Sequence, residues 1–98
     1  MVSEEKIEIE NVNTPGRKTN VNAVKYREMK SSLLKVLPTK SPGLTHKEIL
    51  IAVRKILSEN IFPGGETSEW WSKTVQLDLE AKNILVREAT KPLRWYKK

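Results

Sequence analysis

The stretch from residue 67 to residue 98, TSEWWSKTVQLDLEAKNILVREATKPLRWYKK, constrains the fold most, because it encodes one helix, one tight turn and two short strands. Thr67 or Ser68 is suited to cap the helix, since a short side-chain oxygen accepts an unpaired N–H of the first turn. Glu69 suits the positive end of the helix dipole. Trp71, Val75, Leu79 and Lys82 recur at helical spacing, and Trp70, Thr74, Leu77 and Ala81 form a second face. Glu69, Ser72, Lys73, Gln76 and Glu80 remain as a polar arc, so the helix is expected to be mostly buried with that arc open to solvent. Asn83 stands where a left-handed residue ends a helix. Ile84, Leu85 and Val86 form a strand-like run, Ala89 to Pro92 turn the chain back, and Leu93, Trp95 and Tyr96 supply the returning strand.

Upstream, Lys6-Ile7-Glu8-Ile9-Glu10 alternates charged and apolar residues, the period of a strand with one buried face. It reads as an added edge strand, an arm exchanged in a dimer, or a frayed tail. Asn13-Thr14-Pro15-Gly16 is a turn, and Arg17-Lys18-Thr19-Asn20 reads as a basic loop, either a solvated connector or a phosphate-contacting arm. That loop lacks the glycines and GK[ST] of a P-loop. Asn22 opens a first helix to about Leu37, where Pro38 stops it. Tyr26, Met29, Leu33, Val36 and Leu37 form its apolar stripe. A second helix, expected over 46–59, opens with a capping box of Thr45 and Glu48 and with Leu44 placed to staple onto Ile49. Ile49, Leu50, Val53, Ile56 and Leu57 make its core face, and Ile51 is expected to meet a neighbouring element. Phe62 points inward before Pro63-Gly64-Gly65 turns into the third helix, expected over 67–82. The closing hairpin is expected over 84–89 and 92–97.

Three helices followed by a two-stranded hairpin resemble the winged helix-turn-helix superfamily. The run Leu79-Glu80-Ala81-Lys82-Asn83-Ile84-Leu85-Val86-Arg87 resembles the passage into the wing of many small bacterial regulators, with Asn83 where those carry glycine. Pro42-Gly43-Leu44-Thr45, Phe62-Pro63, Trp71, the run from Lys73 to Ala81 and Pro92-Leu93-Arg94 also resemble a small family of uncharacterised bacterial winged-helix-like domains. The resemblance implies a fold and no activity. The expected class is therefore α+β and mainly α: an N-terminal strand or arm over 1–21 and a winged-helix domain over 22–98.

Composition limits the function. The chain has 98 residues, 38% hydrophobic and 31% charged, a balance suited to one soluble globular domain. Without cysteine there is no disulfide, thiolate metal site or cysteine nucleophile. Residues 1–5 are acidic and lack the apolar region of a signal peptide, and no apolar run approaches a membrane span, so the cytoplasm is the expected compartment. His46 is the single histidine, in the first turn of a helix, and no carboxylate pair has acid–base spacing. No catalytic residue, metal site or cofactor is expected.

The net charge of +6 is unevenly spread: −3 over 1–13, +8 over 14–58, −3 over 59–86 and +4 over 87–98. Duplex DNA is the leading expected partner, with a protein-interaction or dimerisation module as the alternative. In the DNA reading, Ser72, Lys73 and Gln76 face the major groove. Arg87, Lys91, Arg94 and Lys97 on the wing, with Arg17 and Lys18, supply the cations. Glu69 and Glu80 share the arc of the third helix and would oppose phosphates, and Lys73 could instead pair with one of them. Trp70, off the Trp71 stripe, is the expected partner-contacting residue. Stacking of single-stranded bases on an indole lacks a recognisable basic groove in the sequence.

Overall fold

In the computed structural model, which describes residues 5–98, the alternating segment at the N-terminus becomes a hairpin. Strand β1 (Lys6–Glu10) pairs antiparallel with β2 (Lys18–Asn22), in register Ile7 to Val21 and Ile9 to Thr19. The basic segment expected as a loop is thus a strand from Lys18 onward. Its Val21, with Ile9 of β1, buries an apolar face in the core. Residues 1–4 of the acidic leader lie outside the described residues.

Helix α1 (Ala23–Val36) starts where expected, with Asn22 Oδ1 accepting from the Lys25 N–H at 3.0 Å. Tyr26, Met29 and Leu33 are buried from it. The loop that follows ends in a two-residue strand, β3 (Leu44–Thr45), and leads into α2 (His46–Arg54). The capping box forms as expected: Glu48 N–H donates to Thr45 Oγ1 and Thr45 N–H to Glu48 Oε1. Helix α2 stops at Arg54 instead of residue 59. Glu28 Oε2 accepts the Ser58 N–H at 2.7 Å, and Phe62 N–H donates to the Ser58 carbonyl. These bonds wrap the chain so that Phe62 enters the core edge-on to Trp71, with centroids 6.4 Å apart. Because the helix ends early, Ile56 is exposed rather than buried, and Ile51, expected against a neighbour, is exposed too.

Helix α3 (Ser68–Ala81) begins without its expected cap. Thr67 is left-handed at φ 61° and makes no capping bond, while Ser68 Oγ donates to the Gly65 carbonyl and accepts from Arg54 Nε. The other end is as expected. Asn83 is left-handed at φ 64°, Asn83 N–H donates to Glu80 O and Ile84 N–H to Leu79 O, closing the double-bonded helix end that a left-handed residue permits. Strands β4 (Leu85–Glu88) and β5 (Arg94–Lys97) then pair antiparallel. The sheet is not the two-stranded hairpin of the sequence reading. Strand β3 joins it on β5, Leu44 opposite Trp95, giving the order β3-β5-β4.

Gly43 makes that third strand possible. It has φ 89°, and a Cβ there would stand 2.0 Å from the Trp95 carbonyl oxygen. Only glycine lets the backbone pass so close to β5. The molecule is therefore α+β, three helices and two small sheets around one core that includes Met29, Leu33, Ile49, Val53, Val75 and Leu79. No helix among the described residues is long and apolar enough to cross a membrane.

Candidate nucleic-acid interface

The position of α3 decides which side chains the molecule presents. Ser68, Trp71, Ser72, Val75, Gln76, Asp78 and Leu79 are its buried residues. Relative to the stripe read from sequence, the buried face is turned by roughly a quarter-turn toward the small polar residues. Ser72, at 0% exposure, and Gln76, at 1%, are therefore not on an open arc, and neither reaches solvent as expected of a base-reading residue. Each is tolerated inside because it carries its own partner. Ser72 Oγ donates to the Glu69 carbonyl at 3.0 Å, and Gln76 Oε1 lies 3.5 Å from His46 Nδ1. Ser68 likewise bonds Arg54, the last residue of α2, and the Gly65 carbonyl.

What turns outward is the strip of Trp70, Lys73, Thr74 and Leu77. Trp70 is 56% exposed and stands perpendicular to Trp71, centroids 5.1 Å apart. Trp71 and Trp95 are buried, so two of the three indoles are core and Trp70 alone is presented. The strip forms one wall of a groove of about 480 Å³ whose other wall is the β1–β2 hairpin. Ile9, Val21 and Leu77 contribute apolar surface, Thr14 and Thr19 hydroxyls, and Arg17 and Lys73 positive charge. Glu10 also lines it, with Lys18 opposite on the neighbouring strand. On the other side of Trp70, Arg54, Thr67, Glu69 and again Lys73 border a second, shallower hollow.

Two acids of α3, Asp78 and Glu80, are turned away from this strip, whereas Glu10 and Glu69 line the hollows. Asp78 is fully buried and accepts from Glu10 N–H at 2.9 Å, from Tyr26 Oη and, at both oxygens, from Lys82 Nζ at 2.8 Å. It ties the hairpin, α1 and α3 together. Burial, reinforced by the Asp78 carboxylate, raises the Tyr26 phenol well above its ordinary value near 10. Glu80 is not open on an arc either, since its side chain is 13% exposed. Its Oε1 accepts from Arg87 Nη2 at 3.0 Å and from Trp95 Nε1 at 3.1 Å, and Arg87 Nε sits 3.0 Å from Oε2.

The three cations on strands β4 and β5 are correspondingly occupied. Arg87 is held by Glu80 and lies over the Trp95 ring at 5.6 Å. Arg94 Nη1 donates to the Gly43 carbonyl and lies 3.4 Å from Glu48, while Lys97 Nζ donates to the Leu34 carbonyl. Lys91, at the tip, is exposed. In the hairpin, Lys18 lies 3.9 Å from Glu8. By contrast, Arg17, Arg54 and Lys73 have no carboxylate within 4.0 Å among the described residues. Lys73 therefore pairs with neither Glu69 nor Glu80.

Sequence reasoning located Trp70, Lys73 and Arg17, and the structure brings these three to one groove. It missed Arg54, whose place beside Trp70 depends on the turn over residues 55–67. Thr74 and Leu77 had a visible signal, the i, i+4, i+7 spacing from Trp70, but were read as core.

No curated protein and no solved structure matches the chain. Residues 6–95, from the first residue of β1 into β5, match a family described as a family of unknown function, and the chain belongs to that family, DUF6958.

Proposed function

We propose that this chain is a winged helix-turn-helix that binds duplex DNA through the open strip of α3, in a transcription-regulator-like role in the cytoplasm. The order of elements supports the winged-helix reading. A short strand between the first two helices pairs with the last strand of the C-terminal hairpin, in the sheet order β3-β5-β4. The DNA reading rests above all on the disposition of the acids. Asp78 and Glu80 are two of the five acids that make residues 59–86 acidic, and one is buried under Lys82 and Tyr26 while the other is held by Arg87 and Trp95. Neither faces a phosphate approaching Trp70 and Lys73, whereas Glu69 stays beside Trp70 and opposes phosphate. Lys73 projects from the strip, Arg17 and Arg54 flank it, and Lys91 supplies a cation at the wing tip.

A salt titration with random duplex DNA tests this. At ~50 mM salt the protein binds, and affinity falls steeply as salt rises, in proportion to the phosphates contacted. Lys73→Gln and Arg54→Gln each weaken binding and shallow the slope by about one unit per lost contact. Arg87→Gln changes stability more than the slope, because Arg87 serves Glu80. Absence of any duplex binding at ~50 mM salt would refute the reading. The alternative, a protein-docking or dimerisation module centred on the 56% exposed Trp70, then takes its place.

A further inference from the structure

The hollows on either side of Trp70 share one residue pair, and that arrangement has a use that duplex binding does not need. Trp70 and Lys73 line both. Beyond them lies Arg17 on the hairpin side and Arg54 on the side of the α2 end. A path across the surface thus meets cation, indole and cation in order, with Lys73 beside the indole throughout. Its acids are Glu10 and Glu69, one fewer than its cations.

We infer that this path binds a single-stranded nucleic acid, with an unpaired base stacked on Trp70 and the flanking phosphates on Arg17, Lys73 and Arg54. The physical reasons are three. An exposed indole already held perpendicular to Trp71 offers a stacking surface without further ordering of the side chain. Arg17, Arg54 and Lys73 lack carboxylate partners among the described residues, so a phosphate displaces no existing ion pair. The hairpin-side groove, about 480 Å³ with apolar Leu77 and hydroxyls of Thr14 and Thr19, has room and hydrogen-bonding groups for one splayed-out base. Cations on both sides of the indole favour a continuing strand over a free nucleotide, which carries its phosphate on one side only.

The inference goes beyond the duplex reading, and one set of titrations separates them. Fluorescein-labelled oligo(dT), the same strand annealed to oligo(dA), and thymidine monophosphate are each titrated with the full chain. Anisotropy gives affinity and tryptophan emission reports stacking. The expected result is that oligo(dT) binds and quenches emission, and that the quench vanishes in Trp70→Phe, because Trp71 and Trp95 are buried. Trp70→Ala weakens oligo(dT) binding about tenfold or more, the usual effect of removing one base stack, and Trp70→Phe restores most of it. Circular dichroism of both variants matches the parent, since Trp70 is largely outside the core. Arg17→Gln and Arg54→Gln each shallow the salt slope for oligo(dT) by about 0.7. Duplex binding without oligo(dT) binding overturns this inference and leaves the duplex reading standing, whereas oligo(dT) binding without duplex binding does the reverse. Oligo(dT) binding indifferent to Trp70→Ala overturns the stacking site. Thymidine monophosphate binding as tightly as oligo(dT) overturns the strand in favour of a nucleotide pocket.

Discussion

Replacing Asp78 by alanine should unfasten the hairpin from the helices, and its cost follows from the partners of one carboxylate. Asp78 is fully buried and takes three donors: the Glu10 N–H, the Tyr26 hydroxyl and the Lys82 ammonium. Alanine leaves the first two without a partner, and each buried donor left unmade costs about 1–3 kcal/mol. Lys82 contributes little to the loss, because its side chain is 36% exposed and regains water. Relief of the desolvation that a buried carboxylate suffers works the other way and trims the total. The net expectation is about 3 kcal/mol, a large share of the stability of a domain this size. Urea denaturation followed by tryptophan emission measures it, and hydrogen exchange at the Glu10 amide localises it. Tyr26→Phe should cost about 1 kcal/mol, as it removes one donor and leaves the carboxylate its other two. A loss below about 1 kcal/mol in Asp78→Ala, with Glu10 protection unchanged, would refute the idea that this residue fastens β1 to α3.

Leu79→Ala should cost about 2–5 kcal/mol in the same melt, since Leu79 is wholly buried in the core. Gly43→Ala should break the β3–β5 pairing, because its Cβ would meet the Trp95 carbonyl at 2.0 Å, and amide exchange should rise at the paired residues Leu44 and Trp95. Alkaline pH should destabilise the fold through Tyr26. Its raised phenol binds a proton that the unfolded chain releases near pH 10, so its contribution is full below pH 10 and is lost as pH rises beyond that. In Tyr96→Phe, absorbance at 295 nm should show no phenolate until the chain unfolds.

Local chemistry was legible wherever one residue and its near neighbours decide the outcome. Asn22 caps α1, Thr45 and Glu48 close a capping box and Asn83 takes the left-handed position, all as their sequence contexts require. Each depends on contacts within a few residues, so chain order alone carries the information. The three helices and the closing hairpin follow from such signals together with apolar spacing.

The presented surface was not legible in the same way, because it depends on how α3 is rolled against α2 and the hairpin. The sequence placed Trp70 outward, but period alone favours burying Leu77 and exposing Ser72 and Gln76. Tertiary packing reverses that choice for Ser72 and Gln76, which are buried with the Glu69 carbonyl and His46 as their own partners. Pairing of charges is also a tertiary matter. The acidic count of residues 59–86 is a property of the sequence, whereas the engagement of Glu80 by Arg87 and of Asp78 by Lys82 and Tyr26 arises once the strands and helices meet. The sequence by itself determined the three helices, the closing hairpin and the ends set by a local bond at Asn22, Thr45 and Asn83, whereas strands β2 and β3 and the early end of α2 arose from contacts between distant residues. Only the tertiary structure decided which cations remain unpaired around Trp70, since that depends on contacts between residues distant in the chain.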